Sequence, residues 1–178
     1  MFFVISAPEY NKLQSNTTKV RVHLSSGIAE IFDKHIDLMG LVSNNLVEIE
    51  TNFENKLEKA LFVLQDAVFV VSNKGLDAEE EAKNKGTTVY IYAKDAREIT
   101  PTISLDEISK QYLAKTAELD AENLKLAAAN PSDKLISPQG VVLKEKEKKK
   151  PTSARSLSLK GDVAFLEKVI AVIKVTKK

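Results

Sequence analysis

The chain has no cysteine and only two histidines, His23 and His35, among 178 residues. Without cysteine there can be no disulfide framework, no thiolate nucleophile and no Cys-based zinc site, and the usage fits a reducing compartment. Charge of one sign is also missing. Twenty-six Lys and Arg face 25 Asp and Glu, for a net charge of +1. That balance gives no reason to expect nucleic acid or an anionic membrane as the main partner. No apolar run reaches the roughly 18 residues that read as a membrane span. The start, "MFFVIS", is apolar but has no basic leader and breaks at Pro8, so it reads as a first strand and not as a signal peptide. The expectation is a soluble cytoplasmic protein.

Catalytic signatures are missing too. There is no Gly-rich phosphate loop, no Gly-x-Ser-x-Gly elbow and no His-Glu-x-x-His. One short cluster invites an enzymatic reading: Asp33, His35 and Asp37, at alternate positions. In an extended stretch the three side chains would share a face. A metal needs three or four ligands with outer support, and the sequence shows no companion cluster. A polar loop is the favoured reading, with a metal-dependent enzyme using His35 as its competitor. "GLDAEEEAK" lacks the ligand spacing of a calcium loop and reads as a solvated turn. The expected catalytic, metal and cofactor sets are empty.

What is present is two kinds of periodicity. Up to about residue 98 the chain reads as strands. "FFVIS" is short and apolar. "TTKVRVHL" puts Val20, Val22 and Leu24 on one face and Lys19, Arg21 and His23 on the other. "GIAEIF" follows a Ser-Ser-Gly turn. "NNLVEIET" alternates through Leu46, Glu48 and Thr51, and reads as a polar-leaning edge. "KALFVLQDAVFVVS" is two apolar runs joined at Gln65-Asp66, and "GTTVYIYA" is rich in β-branched and aromatic residues. Short strands separated by turn signals predict a β-sandwich or barrel. Leu76–Lys85 is read as a loop or helical turn.

From Thr100 the period lengthens. Ser104 and Glu107 fit a capping box. Leu105, Ile108, Tyr112, Thr116 and Leu119 follow at helical spacing, and Asn130-Pro131 reads as a stop. The segment 130–153 has three prolines and the run Lys144–Lys150, and reads as a long solvated linker. Leu159, Val163, Leu166, Ile170 and Ile173 then repeat at +4, +3, +4, +3, widened by Phe165, Val169 and Val172. The expected architecture is an N-terminal β-sandwich over 1–98 followed by a C-terminal helical hairpin over 99–178. Its helices are expected at about 104–129 and 154–176. So much apolar helix surface must pack on the sandwich or on a partner.

This order resembles the epsilon subunit of bacterial rotary ATP synthases (delta in mitochondria). The family carries a segment Gly-Glu-Ile-Gly-Val-Leu-Pro-x-His-Ala-Pro-Leu-Leu. Gly27, Ile31, Phe32, His35, Leu38 and Met39 match it in order. Asp33 and Asp37 stand for its prolines, Glu30 for its second glycine and Ile28 for its glutamate. "LFVLQDAVFVVSNK" and "TVYIYAKDARE" are similar to two later family strands. The resemblance implies a non-catalytic central-stalk rotor subunit. Its partners would be a gamma-like shaft, an alpha/beta-type catalytic head and a membrane rotor ring, placing it peripherally at the inner face of the cell membrane. The implied interface comprises Gly27, Ile28, His35 and Leu38 on the sandwich, and Leu159, Val163, Leu166, Ile170 and Ile173 on the last helix. Some relatives bind ATP through Ile/Leu-Asp-x-x-Arg-Ala. Leu105 and Asp106 are kept here, but Ser109 and Lys110 replace Arg-Ala, so no ATP sensing is expected from this motif. The competing reading is a β-sandwich adaptor, unrelated to ATPases, that presents its amphipathic hairpin to a partner protein.

Overall fold

The computed structural model describes residues 1–8, 10–14, 16–54, 56–74, 86–129 and 152–177. Among the described residues eight strands come first: β1 (Phe2–Ala7), β2 (Tyr10–Gln14), β3 (Thr17–Leu24), β4 (Gly27–Phe32), β5 (Leu38–Val42), β6 (Asn45–Phe53), β7 (Lys56–Ser72) and β8 (Thr88–Glu98). Two helices follow, here α1 (Leu105–Ala129) and α2 (Ala154–Thr176). This is a β-sandwich followed by a helical hairpin. The expected loop at Leu76–Lys85 and most of the expected linker, with its basic run, lie outside the described residues.

The strands run in the order β2-β1-β8-β7-β6-β3-β4, with β5 also paired to β7. Among the described residues β1 and β8 alone pair in parallel; the remaining pairs are antiparallel. β7 belongs to both layers. Its first half pairs with β6, through Phe53↔Lys56 to Asn45↔Leu64, and its second half with β5, through Val42↔Ala67 to Leu38↔Val71. The change falls at Asp66, whose φ of 43° is outside the extended region. Before it, Phe62 and Leu64 point inward; after it, Ala67, Phe69 and Val71 do. The two apolar runs read on either side of Gln65-Asp66 are thus one bent strand.

Between the layers lies one core. Phe3, Ile5, Val20, Val22, Ile31, Val47, Ile49, Phe62, Leu64, Phe69, Val89 and Ile91 are shut from water. Val20 and Val22 sit on the face the alternation predicts. β6 departs from the sequence reading. It lies between β3 and β7 and is not an edge, and its inward row is Val47, Ile49 and Thr51. Leu46 and Glu48 point outward.

A second apolar cluster joins the hairpin to the sandwich. Val63 of β7 meets Ile108 of α1 and Phe165, Leu166, Val169, Val172 and Ile173 of α2, flanked by Leu46, Leu61 and Ile99. The Glu107 amide donates to Ser104 Oγ at 3.3 Å, the first half of the expected capping box. Ser153 caps α2 in the same way, accepting from the Ser156 amide at 3.0 Å. No described helix is long and apolar enough to cross a membrane.

Candidate partner interface

The sandwich has two outer faces of opposite character. On β4-β3-β6 the outward side chains are charged and paired. Arg21 reaches Glu30 at 2.7 Å and Glu48 at 3.3 Å, and His23 Nε2 lies 2.6 Å from Glu48. Lys19 and Lys59 both meet Glu50, at 2.9 and 3.3 Å. The hydrogen bond from Lys19, against a smaller opposing effect of burial, holds the Glu50 carboxyl below its ordinary value. Such a face is stable in water by itself.

On the second half of β7 the outward row is apolar. Register places Leu41, Val68 and Tyr92 side by side across β5, β7 and β8, and Met39, Val70 and Tyr90 in the next row. Met39 is 72% exposed, Leu41 73% and Tyr92 47%, while Tyr90 is buried. Ile36, just before β5, is also exposed. Scattered apolar residues on a surface need no explanation, but neighbouring ladder positions of one sheet face form a patch.

The turn carrying Asp33, His35 and Asp37 braces the edge of this patch. Asp33 Oδ1 accepts the Thr87 amide at 3.2 Å, and that bond holds its carboxyl below the ordinary value despite opposing desolvation. Asp37 Oδ1 accepts from Asn73 twice, from the backbone amide at 3.0 Å and from Nδ2 at 3.1 Å. Asn73 Nδ2 also donates to the His35 carbonyl at 2.5 Å, and Thr87 Oγ1 donates to Asn73 Oδ1 at 2.7 Å. The ring of His35 turns to its neighbour, with Nδ1 2.8 Å from the Ile36 carbonyl. Each aspartate therefore spends its Oδ1 on backbone or amide donors, tying the β4–β5 corner to the end of β7 and the start of β8. Among the described residues no three His, Cys, Asp or Glu side chains group as a metal would require.

The structure disperses the residues that sequence reasoning put at an interface. Gly27, at φ +143°, turns β3 into β4, and Ile28 beside it is 57% exposed on the β4 edge. His35 is half-buried in the braced corner. Leu38 packs against the sandwich core. Leu159, Leu166 and Ile173 are buried within the hairpin, and Val163 and Ile170 are half-buried there. Met39, Leu41 and Tyr92, the exposed residues of the apolar face, lie outside the interface expected from the sequence. "LMGLV" is apolar throughout, so its sequence does not say which side faces out. The sign available was Gly40: a Cβ there would stand 2.4 Å from the Phe69 ring, so the backbone lies against an inward aromatic.

No protein-family model matches the sequence, and comparison with curated proteins finds no match. Solved structures do match in shape. One chain of the Euglena gracilis mitochondrial ATP synthase OSCP/F1/c-ring assembly, in rotational state 1, aligns with 96% of this chain and 79% of its own length. Its TM-score is 0.54 at 12% identity. A chain of the Tetrahymena thermophila mitochondrial ATP synthase central stalk and c-ring structure covers 96% of both, at 11% identity and a TM-score of 0.43, too low to argue from. What the Euglena comparison establishes is a shared fold, a β-sandwich followed by a helical hairpin.

Proposed function

We propose that this protein is a non-catalytic central-stalk subunit of a rotary ATPase, gripping a gamma-like shaft and coupling or regulating ATP hydrolysis by the catalytic head. The observation that carries the reading is the layout. The fold match to a chain of an ATP synthase assembly holding F1 and a c-ring runs through sandwich and hairpin together. The ordered likeness of Gly27–Met39 to the epsilon segment supports it independently.

The shaft-binding surface is then the uncovered face around Met39, Leu41 and Tyr92, where apolar area awaits burial. Ile28, exposed on the β4 edge where relatives carry glutamate, meets the rotor ring by apolar contact in place of a charge. The hairpin, with Leu159, Leu166 and Ile173 buried, is in its folded-down position. Ser109 and Lys110 replace the Arg-Ala of nucleotide-binding relatives, so regulation by ATP at that motif is not part of the proposal.

Purification of the tagged protein from its source under mild conditions tests the reading. It should bring down a gamma-like subunit and alpha/beta-type ATPase subunits. Recovery of a stable partner with neither present would sink the rotor assignment and leave the adaptor reading in its place.

A further inference from the structure

A groove of about 960 Å³ opens between the outward face of β6 and β7 and the last turns of α2. Leu46, Leu61 and Ile99 line it from the sandwich side, and Ala171, Val172 and Val175 from the helix. The first three are only partly buried, and Val175 is 74% exposed. Small-molecule sites of this size are mostly apolar, with a few placed polar groups. Here the excess charge is positive. Lys59, Lys168 and Lys177 line the groove against one acid, Glu48. Glu48 is already matched, lying 2.6 Å from His23 Nε2 and 3.3 Å from Arg21. Lys59 shares Glu50 with Lys19. Lys177 Nζ donates to the Ile103 carbonyl at 2.8 Å, which orients its charge without cancelling it. Among the described residues Lys168 has no ion-pair partner.

Lys168, Val172 and Val175 follow at i, i+4 and i+7, so the ammonium and the two valines share one face of α2. From first to last is about 10 Å along the axis, the reach of a medium alkyl chain. The two ends of that face differ. The C-terminal carbonyls of α2 gather negative charge beyond Val175, so an anion is favoured at Lys168 and an uncharged tail at the far end. From this we propose that the groove binds a single-chain carboxylate amphiphile of the fatty-acid class. Its head group pairs with Lys168, its tail lies over Leu61, Val172 and Val175, and Lys59 and Lys177 disfavour a cationic head group. The apolar rows around Met39 and Leu41 hold no cation, so the same molecule finds no head-group partner there. The site is separate from the proposed shaft surface and does not rest on the rotor reading.

Titration calorimetry of the full chain with monomeric dodecanoate at neutral pH tests the proposal. Dodecanoate should bind saturably, and at least about tenfold more tightly than octanoate, because each added methylene covers apolar wall. Dodecyltrimethylammonium, with the same tail and the opposite charge, should bind at least about tenfold more weakly than dodecanoate. Lys168→Glu and Val175→Asp should each weaken dodecanoate by about tenfold or more. Leu41→Asp, on the other apolar face, should leave its affinity unchanged. Lys168→Gln makes the comparison if Lys168→Glu does not fold. Four results would overturn the site: no binding of dodecanoate, equal binding of the two head groups, affinity untouched by both groove variants, or affinity lost in Leu41→Asp. Sedimentation with anionic phospholipid vesicles in the absence of dodecanoate binding would also overturn it, in favour of a membrane surface.

Discussion

The carboxylate of Asp162 on α2 lies 2.7 Å from the ammonium of Lys94 on β8, and the same oxygen accepts from Gln65. Burial by itself would raise the Asp162 carboxyl. The hydrogen bonds from Lys94 and Gln65 and the charges of Lys94 and Lys115 together outweigh it and hold the group below its ordinary 3.8. A carboxyl depressed by folding adds stability that is present above its unfolded value and lost as pH falls through its folded value. Docking of α2 should therefore be flat from neutrality to about pH 4 and weaken below it, read as faster exchange of the 162–173 amides. Lys94→Ala should reduce that acid response. Lys94 keeps 42% of its side chain in water, so its loss at neutral pH should cost under about 1 kcal/mol in urea unfolding.

Gly40→Ala should destabilise the sandwich by about 1–3 kcal/mol. The added methyl would meet Cε1 of Phe69 at 2.4 Å, and Phe69 is itself enclosed in the core, so the ring cannot simply swing away. Phe69→Leu in the same chain should recover part of the loss. Denaturation midpoints of the two single variants and the double variant measure the coupling. Additive losses would show that the ring and the glycine do not compete for space.

Asn73→Ala should cost about 1–3 kcal/mol and speed exchange around residues 33–40, because it strips donors from Asp37 and the His35 carbonyl. His35→Ala should change stability by less than about 0.5 kcal/mol, since its ring contact is to the adjacent Ile36 carbonyl. A large loss of stability or function on removing the imidazole alone would restore a chemical role to His35.

Leu41→Asp and Met39→Asp should leave the melting temperature within a few degrees of the parent, since both side chains are more than two-thirds exposed. Either should weaken capture of the proposed shaft subunit by about tenfold or more, through a charge placed where apolar area is to be buried. Ile28→Glu, on the β4 edge, should leave shaft capture unchanged. Quantitative pull-down distinguishes the two surfaces.

Much of the architecture could be read in the sequence because its periods are unmixed. Alternation in Thr17–Leu24 assigned Val20 and Val22 to the core, and the +4/+3 stripe from Leu159 to Ile173 outweighed the β-branched look of "VIAVIKV". β2 was not legible. "YNKLQ" is polar, and what holds it is remote: Tyr10 Oη donates to Glu98 at 3.0 Å and Lys12 Nζ to the same carboxylate at 2.6 Å. β6 was misplaced as an edge because its outward glutamates suggested water, whereas Glu48 and Glu50 face cations on neighbouring strands. The exposed patch was hidden for the opposite reason. Where both faces of a strand are apolar, as in Leu38–Val42, composition cannot say which one the fold leaves open.

β7 extends without interruption from Lys56 to Ser72. Val63 sits under the helical layer, and Val68 and Val70 lie in the open apolar face, five and seven residues farther on. At roughly 3.4 Å per residue the nearer pair is about 17 Å apart along one strand. One strand therefore serves both the helix-packed face and the open apolar face, and the change between them falls at Asp66, the one residue of β7 with a positive φ.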